Sequence, residues 1–278
     1  MILTNSEIAC FQRCEREWQH RYVDHRTGPS TDSQSRGTRI HAWLAEWWRG
    51  NPYNFVSLEP VEAAMVKGYD ARWSVPHLTH VRACVPFEVE LTSSGVTLIG
   101  ELDAVGIDPG SGMTVIVEHK STTQDISPGS QYWQERISCD PQVSTYARAY
   151  PEAYVLYDVL RVPALRLLEA NSRRKAAETP EEYVARCIVA MSEEPDKYFQ
   201  RAHLVRLESE RDAFERDVEM VTESMHAGDH PRNPKACFSF GKKCDFFGVC
   251  WSGTPLDSLE RVELNHTEQV KRKLDLVK

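Results

Sequence analysis

The sequence lacks the long apolar runs that would place it in a membrane. None of its apolar stretches approaches the ~18 residues needed to span a bilayer. Residues 1–10 also lack the basic-then-apolar order of a signal peptide, so we expect a cytoplasmic protein. Internal repeats, low-complexity tracts and long flexible linkers are missing as well, which leaves an ordinary globular chain.

Basic side chains are too few for the chain as a whole to coat nucleic acid. The 278 residues include 33 Lys and Arg against 41 Asp and Glu, a net charge of −8 at pH 7. This total argues against indiscriminate nucleic-acid binding but does not exclude local basic patches. Two such patches are present, in residues 161–175 and 231–243. Taken alone, each is most simply a solvated surface.

The order of predicted elements favours one large domain of mixed α/β class. A chain of this length can bury a substantial core without cross-links. Residues 23–36 are predicted to form a polar loop. Helical patterns cover residues 5–22, 37–49, 59–72, 140–150, 179–191 and 208–226. Strand patterns cover residues 85–91, 96–107, 113–117, 154–162 and 198–207. This order predicts a mixed sheet flanked by helices, with the two ends of the chain close together.

Two acidic residues interrupt apolar strands that a turn joins. Asp103 lies in the first strand and Glu118 in the second, on either side of the turn signal at residues 108–112. A carboxylate within a buried strand is costly unless it is paired or binds a cation, so this pair suggests a shared divalent metal. Because side chains alternate along a strand, Glu118 and Lys120 point to the same face.

Two carboxylates beside an ammonium suit phosphodiester hydrolysis. A divalent ion polarises a phosphoryl oxygen and lowers the pKa of its bound water. Lys120 can orient the nucleophile and offset charge in the transition state. Gln142 and Tyr146 are spaced i, i+4 on the next predicted helix, so both can reach a substrate held at the sheet. An isolated Glu-x-Lys is more simply a weak surface pair, and His41, among tryptophans, is more simply a core residue.

Eight cysteines require a role other than disulfide formation in a reducing compartment. Three of them crowd a C-terminal segment in which Gly, Lys and Asp are poor core formers. Thiolates gathered from both ends of the chain fit iron–sulfur or zinc, and spacing alone does not choose. The short C-x-x-C knuckles common in zinc sites are missing. We expect the other cysteines to be buried structural residues, namely Cys84, Cys139 and Cys187.

In order and spacing, these residues resemble the motifs of the PD-(D/E)XK nuclease superfamily, particularly its RecB-like branch. The resemblance extends from about residue 4 to residue 252, although Leu102 stands where proline usually precedes the first acid. It is carried by Gly100 to Asp103, Glu118-His119-Lys120, Gln142 with Tyr146, and His41 after Gly37. It implies a restriction-endonuclease-like core and an Mg²⁺- or Mn²⁺-dependent deoxyribonuclease in which the ion is held by His41, Asp103 and Glu118.

The same resemblance implies a 4Fe-4S cluster. Iron–sulfur members of the branch, such as CRISPR-associated and AddB-type nucleases, have one cysteine before the nuclease core and three after it. Cys14 resembles the first, and Cys237, Cys244 and Cys250 resemble the others. The cluster would join the two ends of the chain, with Zn²⁺ as the alternative. Six residues separate Cys237 from Cys244, where many relatives have two, and Cys10 is an alternative first ligand one helical turn earlier.

The resulting prediction is a single nuclease domain over residues 1–278. Its approximate parts are an N-terminal helix with the first cysteine (1–36), a nuclease core (37–226) and a cysteine-rich tail (227–278). We predict an exonuclease in DNA recombination, repair or adaptation, in which Gln142 and Tyr146 orient the strand and the basic patches contact phosphates. Partner proteins of such complexes fit this role, and the oligomeric state stays open. The alternatives are a non-cleaving DNA-binding or adaptor subunit and a zinc-stapled protein without nuclease activity.

Overall fold

The computed structural model describes residues 1–29, 31–51, 58–91, 95–170 and 176–277. The strands are β1 (Ile2–Leu3), β2 (Arg26–Thr27), β3 (Thr79–Leu91), β4 (Val96–Ile107), β5 (Thr114–Thr122), β6 (Tyr154–Arg161), β7 (Phe199–Leu204) and β8 (Glu260–Arg261). The α-helices are α1 (Asn5–Arg13), α2 (Glu15–Trp18), α3 (Asp32–Trp48), α4 (Pro60–Trp73), α5 (Gln131–Gln134), α6 (Pro141–Ala149), α7 (Pro180–Glu193), α8 (Pro195–Tyr198), α9 (Glu208–His226), α10 (Phe247–Trp251) and α11 (His266–Asp275). A π-helix covers Gln19–Val23, and 3₁₀ helices cover Arg136–Cys139, Pro234–Gly241 and Leu256–Ser258.

The central sheet is mixed, as the sequence predicts. Strands β3, β4 and β5 form an antiparallel meander, β6 lies parallel to β5, and β7 lies antiparallel to β6. β3 covers one edge of β4 almost throughout. On the other edge, β5 pairs with residues 104–107 and β1 with residues 97–98. In the part of the chain that the structure describes, no strand pairs with residues 99–103 on this edge, so β4 and β5 separate there.

Apolar side chains pack against both faces of the sheet. On one face, Val115 and Val117 of β5 contact the cluster formed by α3, α4 and α7. On the other face, Ile116 contacts the cluster that includes Val143 and Tyr146 of α6. This alternation is the two-residue period of a strand covered on both sides. None of the helices among the described residues is both long and apolar enough to cross a membrane.

Two helix boundaries differ from the sequence prediction. The helix predicted over residues 5–22 is interrupted at Cys14, which is extended with φ −162° and ψ 109°. Helix α3 begins at Asp32, so the polar loop predicted over residues 23–36 is shorter than expected. The reason is a capping box, in which the Thr31 hydroxyl accepts from the Gln34 backbone N–H and the Gln34 side chain accepts from the Thr31 N–H.

Segments from the two ends of the described chain contact each other, as expected. Strand β2 pairs antiparallel with β8. The buried Glu7 carboxylate accepts the Thr267 hydroxyl at 2.5 Å and the Trp18 indole N–H at 3.0 Å. Burial raises the pKa of Glu7, and these hydrogen bonds partly offset that rise. The Thr4 hydroxyl lies 3.1 Å from that of Thr267, so a small polar group links α1 to α11.

Replacing Thr267 with valine should destabilise the protein, because the substitution keeps the shape but leaves the buried Glu7 carboxylate with one donor fewer. We expect the free energy of unfolding in urea to fall by about 1–3 kcal/mol. Thr38→Val is the matched control, since the Thr38 hydroxyl is exposed and bonds only within its own helix, and it should change the free energy by about 0.5 kcal/mol or less. Equal effects of the two substitutions would contradict a stabilising role for the link.

Candidate active site

Asp103 and Glu118 lie where β4 and β5 separate. The last paired positions of these strands are Ala104 and Val117. On its other edge β5 pairs with β6 throughout, and only that pairing continues through Glu118 to Thr122. The Asp103 carboxylate occupies the opening, where its Oδ2 accepts the backbone N–H of His119 at 2.7 Å. The separation therefore leaves room for two acidic side chains between strands that stay paired on their outer edges.

Glu118 and Lys120 form a close ion pair, with Lys120 Nζ 2.5 Å from Glu118 Oε1. The other carboxylate oxygen of Glu118 accepts the Tyr146 hydroxyl at 2.7 Å. Burial raises the pKa of Glu118; the ammonium of Lys120 opposes this rise, and the charge of Asp103 adds to it. Burial alone would lower the pKa of Lys120, but the charges of Glu118, Asp140 and Asp103 and the hydrogen bond to Glu118 together outweigh it, and the pKa is raised. The lysine therefore stays charged at neutral pH.

Helix α6 supplies the next layer of polar contacts. Asp140 caps the helix by accepting the Gln142 backbone N–H at 2.9 Å, as predicted. The Gln142 amide oxygen accepts from Lys120, and its amide nitrogen donates to the Tyr146 hydroxyl at 3.3 Å. The structure also places Asp140 Oδ2 3.4 Å from Lys120 Nζ, a contact the sequence analysis missed. The sequence signal for this contact was the acidic N-cap residue that lies two positions before Gln142.

His41 reaches this opening from α3. Its Nδ1 lies 3.0 Å from Asp103 Oδ1, and its side chain is 37% exposed, so it is not the core residue that its tryptophan neighbours favoured. Burial lowers the pKa of His41, but the hydrogen bond and charge of Asp103 outweigh this and the pKa is raised. For Asp103, burial raises the pKa, but the hydrogen bond and charge of His41 outweigh it, so the pKa is lowered.

A buried polar network lies behind the site and was not predicted. Trp48 Nε1 donates to His119 Nε2 at 2.8 Å, which assigns the imidazole proton to Nδ1, 3.6 Å from Asp158 Oδ2. Asp158 accepts the Tyr69 hydroxyl at 2.6 Å and Arg201 Nε at 3.0 Å. Burial lowers the pKa of His119 to about 4, so the ring is neutral at pH 7. The sequence signal for this network was an acidic residue, Asp158, within the apolar run of β6.

The donor set of the opening suits a hard cation. Lys120 and Asp140 line an adjoining cleft of about 460 Å³, which gives access from solvent. Two carboxylates and one imidazole, from Asp103, Glu118 and His41, are the ligand types that Mg²⁺ or Mn²⁺ uses. Across the described ranges, no group of three or more His, Cys, Asp or Glu side chains is already arranged to hold a metal. Instead, Asp103 bonds to His41, and Glu118 bonds to Lys120.

Cysteines from the two ends of the chain line one small cavity. Its lining includes Cys14, Cys237, Cys244 and Cys250. Cys14 lies in the extended link between α1 and α2, and this break in the helix places its side chain beside the tail. Cys10, the alternative first ligand, packs instead in an apolar cluster with residues such as Leu3 and Phe11. All eight cysteines are free thiols.

The remaining cysteines and the two basic patches can also be compared with the sequence expectations. Cys84 and Cys139 are exposed rather than buried, because Cys84 lies on the outward face of β3 and Cys139 ends a surface 3₁₀ helix. Cys187 is buried, as expected.

Of the first basic patch, residues 171–175 lie outside the described residues. In the second patch the basic side chains are exposed: Arg232, Lys235, Lys242 and Lys243.

Comparison with known proteins places this chain in a family. The family model described as the PD-(D/E)XK nuclease superfamily matches residues 2–251. The crystal structure of a protein from Eubacterium rectale named a putative exonuclease is 11% identical, with a TM-score of 0.51, and the match covers 91% of this chain and 94% of that one. The crystal structure of SSO0001 is also 11% identical, with a TM-score of 0.44 and coverage of 91% and 88%. A comparison with curated protein sequences finds no match.

At such low identity, the likeness to the Eubacterium rectale structure shows a shared fold and nothing finer. The family match has more weight, because it spans nearly the whole chain and includes β4, β5 and α6. The mixed sheet with helices on both faces agrees with the fold of that family. The chain belongs to the PD-(D/E)XK nuclease superfamily.

Proposed function

We propose that this protein is a metal-dependent deoxyribonuclease that acts as an exonuclease at DNA ends. The observation that carries the proposal is the meeting of Asp103, Glu118 and Lys120 at the separation of β4 and β5, beside a cleft open to solvent. A setting in recombination, repair or adaptation, in the cytoplasm and with partner proteins of those processes, fits this activity. A protein that shares the fold is named as an exonuclease, the activity proposed here.

Asp103, Glu118 and His41 would hold Mg²⁺ or Mn²⁺. When bound there, the cation would supply polarisation of the phosphoryl oxygen and a lower pKa for the attacking water. The protein side chains prepare this position in two ways. The His119 backbone N–H orients Asp103, and the Tyr146 hydroxyl orients Glu118. Such outer contacts fix the direction of each ligand before the substrate binds.

Lys120 would act on the attacking water and on the charge of the transition state. Its ammonium is held by Glu118 and by the Gln142 amide oxygen, and the raised pKa keeps it protonated. A fixed positive charge in a partly buried site stabilises developing negative charge more than it would in water. Lys120 therefore combines with Glu118 to place the nucleophile beside the scissile phosphate.

The contacts of α6 revise the role first assigned to Tyr146. Its side chain is only 1% exposed, and its hydroxyl already donates to Glu118, so we assign it to positioning the acid rather than the DNA strand. Gln142 positions Lys120 and stays partly exposed, so it can also contact the strand. Arg136, exposed in the cleft that Lys120 lines, adds a phosphate contact beside the site. Such contacts make DNA binding weaken with salt.

Lys120→Ala and Asp103→Asn should each slow digestion of end-labelled linear DNA with Mg²⁺ by at least about 10²-fold, because the first removes the ammonium that acts on the reacting phosphate and the second removes a charged ligand of the cation. The matched controls are Lys271→Ala and Asp275→Asn, both exposed on α11, and they should digest DNA at the parent rate. Undiminished digestion by the first two variants would disprove the assignment. A parent protein that binds DNA but leaves it intact would indicate the non-cleaving adaptor.

We also propose that Cys14, Cys237, Cys244 and Cys250 hold a structural 4Fe-4S cluster. Support comes from their place around one cavity that joins the first helices to the tail. Burial raises the pKa of the Cys244 thiol to about 11 and raises that of Cys250. These thiols would therefore lose their protons when they bind the cluster. Assembly of the cluster would be coupled to folding of the protein. The cluster would tie the polar tail to the first helices, which already pack in an apolar cluster of their own.

Purification without air should give brown protein with broad visible absorbance and bound iron. Cys14→Ser and Cys237→Ser should lose the colour and unfold at lower temperature, because each removes a thiolate ligand. Cys84→Ser, Cys139→Ser and Cys10→Ser should keep the colour, since none of these cysteines lines the cavity. Colourless protein with stoichiometric zinc would remove the cluster in favour of a zinc staple, and loss of colour in Cys10→Ser would contradict the choice of Cys14.

A further inference from the structure

Two aromatic side chains are unusually exposed, and both belong to the cysteine-rich tail. Phe238 is 61% exposed and Trp251 is 45% exposed. Every other Phe, Tyr and Trp whose side chain the structure describes is buried or half-buried. Leaving large aromatic rings in water forgoes the burial energy that such residues usually supply. Two of them in one segment therefore indicate a surface that receives a ligand.

The two exposed rings belong to one connected surface. The ring of Phe238 lies 5.3 Å from that of Phe247, measured between centroids. Phe247 and Trp251 begin and end α10 and are spaced i, i+4, so they share a face. The Arg232 guanidinium lies 4.2 Å from the Trp251 ring centroid, and Lys243 Nζ lies 5.4 Å from that of Phe247. We call these five side chains the aromatic strip.

The strip carries positive charge on a chain that is negative overall. Residues 231–251 contain four basic side chains and one acidic side chain, against a total of −8 for the protein. The acidic residue, Asp245, is already bound by Arg21 at 2.8 Å. The basic side chains of the segment are all exposed. A polyanion is therefore the ligand that complements this surface, and its exposed rings favour a polyanion that also offers flat, unsaturated groups.

We propose that the aromatic strip is a binding site for single-stranded nucleic acid, outside the candidate active site. Unpaired bases would stack on Phe238 and Trp251, and phosphates would lie against Arg232 and Lys243. Aromatic stacking combined with a basic surface binds single strands with little sequence preference. Duplex bases are already stacked on one another, so the strip should discriminate against double strands. Any passage of the bound strand to the cleft depends on the proposed nuclease function. Binding of the strand to the strip does not depend on it.

The test is fluorescence anisotropy of a dye-labelled oligothymidylate titrated with the full chain in EDTA, so that cleavage does not interfere. Phe238→Ala should weaken binding by about tenfold, and Trp251→Ala by a similar factor. Trp251→Phe should keep most of the affinity, which separates loss of stacking from disturbance of the nearby cysteine cavity. Met220→Ala is the matched control, since Met220 is 66% exposed on α9 and should leave binding unchanged. Lys243→Ala should reduce the salt dependence by about one phosphate contact.

Three results would overturn the proposal. They are binding within about twofold of the parent for both alanine variants, equal affinity for the matching duplex, and equal competition by heparin, which has charge but no bases. Oligouridylate and oligodeoxyuridylate, which differ only at the 2′-hydroxyl, serve as further probes, and a preference between them identifies RNA or DNA as the ligand. Lys271→Ala, exposed on α11, should bind like the parent. If the parent protein does not cleave DNA but its binding depends on the two rings, only the nuclease proposal is rejected. If it cleaves DNA but its binding does not depend on the rings, only the proposal for the strip is rejected.

Discussion

The separation of β4 from β5 is the constraint on which the rest of the candidate site depends. Had the two strands stayed paired, the Asp103 carboxylate could not accept the His119 backbone N–H at 2.7 Å. β5 keeps its hydrogen bonds by pairing with β6, and β4 keeps its own by pairing with β3. These pairings satisfy the backbone groups that point away from the opening, and of those that face it, the His119 N–H is bound by the Asp103 carboxylate. The opening holds charged side chains that a closed sheet could not accommodate.

Buried charges are tolerated here because each has a partner. Glu118 has Lys120 and Tyr146, while Asp158 has Arg201 and Tyr69. Such pairs rarely add stability over an apolar core, but loss of one partner is strongly destabilising. The two groups lie on neighbouring strands, with His119 between them. The network behind the site thus fixes the strand that carries Glu118 and Lys120, which links the packing of the core to the geometry of the chemistry.

Local patterns predicted the elements whose ends are set by their own residues. Helix α6 follows an Asp140-Pro141 start, and Glu118 and Lys120 share a face because of strand alternation. The break at Cys14 was not predicted, because the helical pattern continues through it and only contacts with distant segments favour the extended link. The network around Asp158 was missed for a similar reason. Its partners come from α3, α4 and β7, and no sequence spacing joins them.

The contact between Glu7 and Thr267 has a consequence for the order in which the molecule forms. The two residues are 260 positions apart in the chain, and the pairing of β2 with β8 spans a similar distance. Contacts at such separation form late, because loop closure must precede any gain from them. During synthesis, β2 and the Glu7 carboxylate must wait for their partners until the tail leaves the ribosome, whereas the apolar side of α1 packs on β4 and α9, which are made earlier. We therefore expect the central sheet and its covering helices to be complete before these distant segments close on each other.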